Sequence, residues 1–267
     1  MADKIDSALS DGTVGAGDLA RLLWEAQRTS TPLSHPSAAG LDIAAGHTVQ
    51  AAGMALRTAA GERIGGRKVG LTSHAAQQGM ATDAPVSGYL PASTIGAVAP
   101  EFDCTTLVAP RVEVEIAFVL ERDLAGPDVT PEQVRAATAH LALAFEVVDS
   151  RWAGGAPGVG ALVADDVGAA AVIVGAEADP ATDLTGLRVT GRVGDTPISG
   201  DAGNVMGDPA RAVAWLCADL HQRGEGLRAG DLVISGALYG PTPVRPGDAV
   251  EADFGELGSL ATVFVTR

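Results

Sequence analysis

The clearest pattern along the chain is the alternation of apolar and charged residues between positions 110 and 120. Successive side chains of a strand point to opposite faces, so Glu113 and Glu115 share one face. The other face is apolar and consists of Val112, Val114, Ile116, Phe118 and Leu120. Two carboxylates on one sheet face repel each other unless something neutralises them, which favours a divalent cation. The alternative is a half-exposed strand whose glutamates face water.

A third carboxylate lies in the apolar stretch 141–148, where Glu146 is the one charged residue. A carboxylate is costly to bury without a partner. We therefore expect Glu146 to join Glu113 and Glu115 from a neighbouring strand. Mg²⁺ and Mn²⁺ prefer oxygen ligands in octahedral geometry, and three carboxylates supply one side of such a site.

Helical periodicity occurs in four places, and strand-like runs fill most of the remainder. Helices are predicted over 19–28, 42–60, 130–140 and 208–224, with Asp18 and Thr130 as two of the N-caps. Strands are predicted over 66–72, 110–120, 142–148, 170–174, 187–193, 231–235, 247–254 and 259–265.

Strands outnumber helices, and too few helices alternate with strands for a doubly wound sheet. The prediction is an α+β fold with a mixed, mainly antiparallel sheet. A helical arm is expected over residues 1–60 and a β-rich, metal-binding catalytic domain over 61–267.

Charge and composition limit the partners. The formal net charge is −15, which argues against nucleic acid and against anionic membranes because both require a basic surface. Cys104 and Cys217 lie far apart without metal-ligand spacing, as in a reducing compartment. No leader-like segment is present, and no run approaches the roughly 18 apolar residues of a membrane span. A cytoplasmic protein acting on a small molecule is expected.

Three other residues can carry chemistry, each with a structural alternative. Lys68 lies in a glycine-flanked strand where a ligand can approach, or it is a surface lysine. Ser235 follows a predicted strand, where its hydroxyl and nearby amides can bind a carboxylate or simply end the strand. Asp83 precedes a turn and can cap it. The glycine-rich segment 154–160 lacks the lysine of a phosphate loop and is predicted to be a mobile loop.

The order of these motifs resembles the 2-keto-4-pentenoate hydratase and 4-oxalocrotonate decarboxylase family, within the fumarylacetoacetate hydrolase superfamily. The Arg-x-Glu-x-Glu strand with a later glutamate is shared across the superfamily. The segments Lys-Val-Gly-Leu-Thr-Ser and Glu-Val-Val-Asp-Ser-Arg are typical of this group. The matching segments cover nearly the whole chain: 67–73, Asp83 with Pro85 and Gly88, 110–115, 145–151, 164–165, 235–238 and 246–248.

The resemblance implies the fold of that superfamily, a homo-oligomer and a site for Mg²⁺ or Mn²⁺. It implies metal ligation by Glu113, Glu115 and Glu146, with Lys68 and Asp83 as acid-base and orienting groups. It also implies substrate contacts from a further set of residues: Leu71, Arg111 and Ser235.

The chain departs from the family pattern in one region. Trp152-Ala153-Gly154-Gly155 stands where family members usually carry Asp-Trp, and residues 165–168 read Asp-Asp-Val-Gly in place of Asp-Asn-Ala-Ser. A hydroxyl is therefore missing at Gly168, and Asp166 would repel a dianionic substrate if it faced the pocket. A less acidic or bulkier substrate is expected.

Three functions follow from the resemblance and the retained charged residues. The leading one is a lyase that hydrates an unsaturated 2-oxo acid. The second is a decarboxylase or C–C hydrolase of the same superfamily. The third is a non-catalytic partner subunit. Four charged residues are retained in apolar strands, which disfavours this alternative: Lys68, Glu113, Glu115 and Glu146.

Overall fold

The computed structural model describes residues 14–34 and 38–267. Residues 1–13 and 35–37 of the predicted helical arm lie outside the described residues. Six α-helices occur in the described ranges: α1 (Ala16–Thr29), α2 (Ile43–Ala59), α3 (His74–Gly79), α4 (Pro131–Ala137), α5 (Val159–Ala164) and α6 (Pro209–Gln222). None of them is long and apolar enough to cross a membrane.

Two predicted helix ends are wrong. Helix α1 begins after Gly15, and Asp18 lies inside the first turn, where its carboxylate pairs with Arg21 at 2.6 Å instead of capping the helix. Helix α4 begins at the predicted capping box of Thr130 but ends at Ala137, not near His140. The chain enters a strand there because Thr138 and His140 pair with the end of the strand over 111–120, and this tertiary pairing overrides local propensity.

Within residues 14–34 and 38–267, thirteen strands form two sheets. Their bounds are β1 (Ile64–Gly70), β2 (Val86–Pro91), β3 (Ile95–Ala97), β4 (Glu101–Asp103), β5 (Arg111–Leu120), β6 (Thr138–Val148), β7 (Ala169–Ala178), β8 (Arg188–Val193), β9 (Thr196–Asp201), β10 (Leu232–Ile234), β11 (Tyr239–Pro243), β12 (Ala249–Asp253) and β13 (Ser259–Val265). The larger sheet has the order β2-β1-β10-β5-β6-β7-β3, with β11 also paired to β5, and the smaller sheet has the order β4-β13-β12-β8-β9.

Most neighbouring strands are antiparallel, while β1 with β10, β3 with β7 and β4 with β13 are parallel. The predicted α+β fold with a mixed, mainly antiparallel sheet is therefore confirmed.

The two faces of strands β5 and β6 have different surroundings. One face packs into the main core with the smaller sheet and α6, through residues such as Ile116, Phe145 and Leu216. The opposite face carries small side chains, including Ala117, Ala142 and Ala144. Small residues leave space above this face, and the predicted site residues of β5 and β6 lie on it.

The helices α1 and α2 pack on the segment that follows β6. Leu23 and Val49 share a buried cluster with Trp152 and Ala161. The predicted mobile loop at 154–160 is only partly a loop, because Gly158 is the N-cap of α5 and Gly160 is buried in that helix. The division into two domains near residue 60 stays a prediction.

Candidate metal centre

Glu113, Glu115 and Glu146 converge through the register of two central strands. Glu113 of β5 is the direct cross-strand partner of Glu146 of β6, and Glu115 is opposite Ala144. Side chains two residues apart on one strand share a face, so all three carboxylates project to the same side. One carboxylate oxygen from each residue lies within 4.8 Å of the others.

This cluster concentrates negative charge in a buried place. Glu115 and Glu146 are each 1% exposed. Burial and the neighbouring Glu146 carboxylate raise the pKa of Glu113 to about 8, against the opposing charges of Lys68 and Arg111. Burial followed by the charges of Glu146 and Glu113 raises the pKa of Glu115 well above its usual range. Burial also raises the pKa of Glu146, despite its pairing with Lys68.

Lys68 is the buried cation of the cluster. Its ammonium pairs with Glu146 Oε1 and donates to the Val167 carbonyl at 2.9 Å, and the residue is 2% exposed. Burial alone would lower the pKa of Lys68, but the carboxylates of Glu146 and Glu113 raise it overall. The lysine stem passes over Gly88, where a Cβ would lie 2.8 Å from Lys68 Cγ. Lys68 is thus a protonated partner of the carboxylates and not a surface lysine.

The chain segment between β10 and β11 supplies a further contact to the carboxylates. Strands β10 and β11 both pair with β5, and the residues between them pass Glu115. The Gly236 amide donates to Glu115 Oε2 at 2.8 Å. Gly236 has φ +116°, so this turn requires glycine. The Ser235 hydroxyl is fully buried and donates to the Ile116 carbonyl at 3.0 Å, and its substrate-binding role stays a prediction.

The polar residues after Glu146 hold the surrounding loops. Asp149 accepts hydrogen bonds from the amides of Val108 and Ala109, each at 2.8 Å, just before β5 begins. Arg151 is buried, pairs with Asp165 and donates to the carbonyls of Asp149 and Ala169. Burial raises the pKa of Asp165 to about 6 in spite of the Arg151 charge. This part of the motif therefore positions backbone.

The remaining predicted site residues differ in burial and surroundings. Arg111 is exposed at the start of β5, and its charge acts on Glu113. Leu71 is half-buried, has φ +57° and packs against the buried cluster of Val86, Val163 and Val167. Asp83 is exposed and lines an open groove with Asp42 and Val159. No described hydrogen bond joins Asp83 to the three glutamates, and its catalytic role stays a prediction.

Asp166 and Gly168 lie in the turn that carries the departure from the family pattern. The Asp166 carboxylate accepts from the Tyr89 amide at 2.8 Å and from the Gln50 side chain at 3.2 Å. Both donors bind the same oxygen, Oδ1, of the Asp166 carboxylate. This is the carboxylate that was expected to repel a dianionic substrate if it faced the pocket. Gln50 and the Val167 carbonyl were not predicted as site groups. The one signal for Gln50 is its place as a polar residue in an alanine-rich helix.

The residues present fit a divalent cation. Three carboxyl groups face one ammonium, so their deprotonated forms carry an excess of negative charge that a cation would neutralise, and oxygen ligands suit hard cations. Glu146 Oε2 is buried and has no hydrogen-bond partner among the described residues. Buried polar atoms are rarely left unpaired, so this oxygen is available as a ligand. Glu113, Glu115 and Glu146 are the residues that could hold the ion.

Comparison with known proteins agrees with this fold. Residues 63–265 match the family described as fumarylacetoacetate (FAA) hydrolase C-terminal. The chain is 36% identical to a 2-keto-4-pentenoate hydratase of Burkholderia vietnamiensis (strain G4 / LMG 22486), covering 92% of this chain and 96% of that protein. It is 34% identical to a 2-hydroxyhexa-2,4-dienoate hydratase of Comamonas testosteroni, covering 89% and 91%.

A solved structure is also similar. The 4-oxalocrotonate decarboxylase from Pseudomonas putida G7, complexed with magnesium and adipate, has a TM-score of 0.89 and 28% identity, covering 94% of this chain and 97% of that chain. The chain belongs to the fumarylacetoacetate hydrolase family. The predicted resemblance to its hydratase and decarboxylase group is confirmed, as is the prediction of an enzyme.

Proposed function

We propose that the chain is a divalent-metal-dependent lyase that adds water to an unsaturated 2-oxo acid. The substrate class is a 2-hydroxy-2,4-dienoate of the 2-keto-4-pentenoate type, and the product is a 4-hydroxy-2-oxo acid. The observation that carries this proposal is the set of three converging glutamates with Lys68 bound to one of them. The hydratase relatives support the reaction class.

Glu113, Glu115 and Glu146 would hold Mg²⁺ or Mn²⁺. When bound, such a cation supplies a Lewis acid for the carboxylate and 2-oxygen of a 2-oxo acid and stabilises the charge of its enolate form. The Gly236 amide fixes the orientation of Glu115, and the Lys68 ammonium fixes that of Glu146. These bonds hold the ligands in place before the substrate arrives.

Lys68 is the proposed acid. Two acceptors in the described part of the chain use two of its three N–H groups, which leaves one for the substrate. Transfer of a proton to C5 of the dienol, with loss of the 2-hydroxyl proton, gives an unsaturated ketone whose C4 is electrophilic. Water then adds its hydroxyl to C4 and a proton to C3. Asp83 stays the predicted second group, and it is exposed at the open groove that it lines with Asp42 and Val159.

The proposal is tested with metal-free protein and 2-hydroxypenta-2,4-dienoate, with and without Mg²⁺ or Mn²⁺. Loss of the dienol absorbance and mass spectrometry of the product are followed together. Metal-dependent gain of one water is expected, and Glu115→Gln should abolish it without unfolding the protein. Absence of any metal-dependent turnover would contradict the proposal.

A decarboxylase is the second candidate, favoured by the similarity over almost the whole chain to the 4-oxalocrotonate decarboxylase structure. The same electron withdrawal at the 2-oxygen lets carbon dioxide leave from C5. Release of carbon dioxide from 4-oxalocrotonate, without hydration of the dienoate, would favour this alternative. A homo-oligomer and a cytoplasmic location stay predictions.

A further inference from the structure

The backbone carbonyl that accepts a hydrogen bond from the Lys68 ammonium belongs to a residue with an unusual backbone conformation. Its acceptor besides Glu146 is the Val167 carbonyl at 2.9 Å. Asp166 and Val167 both have φ +53°, and Gly168 follows with φ +74°. A left-handed conformation is uncommon outside glycine and is an outlier for a β-branched residue such as valine. Such a backbone conformation is strained and persists only where its surroundings enforce it.

The Asp166 side chain makes the contacts that enforce this turn. Its Oδ1 accepts from the Tyr89 amide at 2.8 Å, which ties the turn to strand β2. A Cβ at Gly88 would lie 2.9 Å from the Asp166 carbonyl, so the turn also packs directly on that strand. Aspartate tolerates the left-handed region better than most residues. The carboxylate and the backbone thus act together at one position.

The same oxygen connects the turn to the helical arm. Gln50 of α2 donates to Asp166 Oδ1 at 3.2 Å and to the Ser87 carbonyl at 2.8 Å. Gln50 is 5% exposed, and its Oε1 is bonded to His47 Nδ1 at 3.0 Å. All polar atoms of this amide group therefore have partners, which fixes its orientation. Helix α2 is thus linked to Lys68 through the hydrogen bond from Gln50 to Asp166 and the hydrogen bond from Lys68 to the adjacent Val167 carbonyl.

We propose that Asp166 is a positioning residue that fixes the Asp166–Val167 turn and thereby holds the Lys68 ammonium beside the glutamates, with Gln50 completing the link from the arm. The role in turnover rests on the proposed function. The positioning of Lys68 does not, because it is a property of the protein without substrate. This difference allows the two ideas to fail separately.

The sequence offers a direct probe of Lys68. The chain contains two lysines, Lys4 and Lys68. In protein labelled with ¹⁵N-lysine, the ammonium signal that disappears in Lys68→Arg belongs to Lys68. A buried, hydrogen-bonded ammonium exchanges its protons slowly, so the Lys68 signal should be protected in the wild type.

Two substitutions at Asp166 separate the side chain from the backbone. Asn and Gly both tolerate positive φ, so neither adds backbone strain. Asn keeps an oxygen that can accept from Tyr89 and Gln50, whereas Gly keeps none. Asp166→Asn should retain the protected signal and most of kcat. Asp166→Gly should lose the protection and lower kcat by about 10- to 100-fold, with KM changed much less.

An exposed aspartate in another turn provides the matched control. Asp183→Gly removes an exposed aspartate that accepts a backbone amide in another turn, and it should change neither readout. If Asp166→Gly fails to fold, Gln50→Ala is measured instead and should weaken Lys68 protection. Unchanged protection in the folded variant overturns the positioning role, whatever the turnover. Retained wild-type protection without any metal-dependent turnover would overturn the proposed function alone.

Discussion

Glu113 and Glu146 are direct partners across the antiparallel pair β5–β6, so their carboxylates meet on the alanine-lined face of the larger sheet. Like charges directly opposite each other destabilise a sheet. Lys68 offsets part of this repulsion by pairing with Glu146, while Glu113 and Glu115 remain close by. The arrangement therefore couples folding, protonation and cation binding in one cluster.

The first prediction concerns ligand removal. Glu115→Gln keeps the side-chain shape and the bond from Gly236 but removes one negative charge. We expect the affinity for Mg²⁺ or Mn²⁺ to fall by at least about tenfold, since metal sites depend on the charge and number of their ligands. Isothermal titration of metal-free protein measures the affinity. Glu177→Gln is the matched control, because Glu177 is on β7 with its side chain 71% exposed, and it should bind as the wild type does.

The second prediction concerns pH and the stability of the metal-free protein. The pKa of Glu113 is about 8 in the folded chain, against an ordinary value of 4.5. Between these values the folded chain holds a proton that the unfolded chain has released. The free energy of unfolding should therefore fall as pH rises through this window. Each pKa unit is worth about 1.4 kcal/mol, so the loss amounts to a few kcal/mol.

Thermal unfolding in metal-free buffers between pH 5 and 8 tests this slope. Glu113→Gln should flatten the slope, because the replacement does not titrate. Saturating Mg²⁺ should stabilise the protein more at pH 8 than at pH 6, since metal ligands must be deprotonated. Equal slopes for the wild type and Glu113→Gln would show that Glu113 does not titrate in this range.

The sequence could predict which residues form the cluster but not how they contact each other. The period of β5 identifies the shared face of Glu113 and Glu115, and the isolated charge identifies Glu146. The register that makes Glu146 the partner of Glu113 depends on two strands packing together. The Gly236 and Val167 contacts join positions far apart in the chain, and no local pattern encodes them.

The strands, too, could be predicted only in part from the sequence. Long apolar runs such as β5 and β13 were predicted close to their observed bounds. Strands β2, β9 and β11 were missed, because their sequences contain glycine and proline that usually indicate turns: Val-Ser-Gly-Tyr-Leu-Pro, Thr-Pro-Ile-Ser-Gly-Asp and Tyr-Gly-Pro-Thr-Pro. Their pairing with neighbouring strands, and not their own propensity, makes them strands.

The third prediction compares two arginines. Arg151 is 4% exposed and pairs with buried Asp165, so Arg151→Met should leave an uncompensated buried carboxylate. Removal of one partner of a buried pair costs about 3–5 kcal/mol. Arg192 pairs with Glu251 on the surface, with side chains 48% and 50% exposed. Arg192→Met should lower the free energy of unfolding far less, because solvent screens an exposed pair. Urea unfolding measures both, and similar losses would contradict the structural role of Arg151.

The fourth prediction concerns Gly236, which serves Glu115 through its backbone. A Cβ at this position would lie 2.6 Å from Thr72 Cγ2, and the residue has φ +116°. Gly236→Ala should therefore shift the turn and cost roughly 1–3 kcal/mol of stability. It should also lengthen the hydrogen bond from the amide of residue 236 to Glu115. Weaker metal binding should follow, because that bond orients a ligand.

Gly240→Ala is the control for this substitution, since a Cβ there meets no atom within 4 Å and the residue lies in β11, just after the same connection. It should leave both stability and metal affinity close to the wild type. If Gly236→Ala lowered stability but not metal affinity, the Gly236 amide would be a feature of the turn alone. A loss of both, with the Gly240 variant unaffected, would place the backbone between β10 and β11 among the groups that orient the metal ligands.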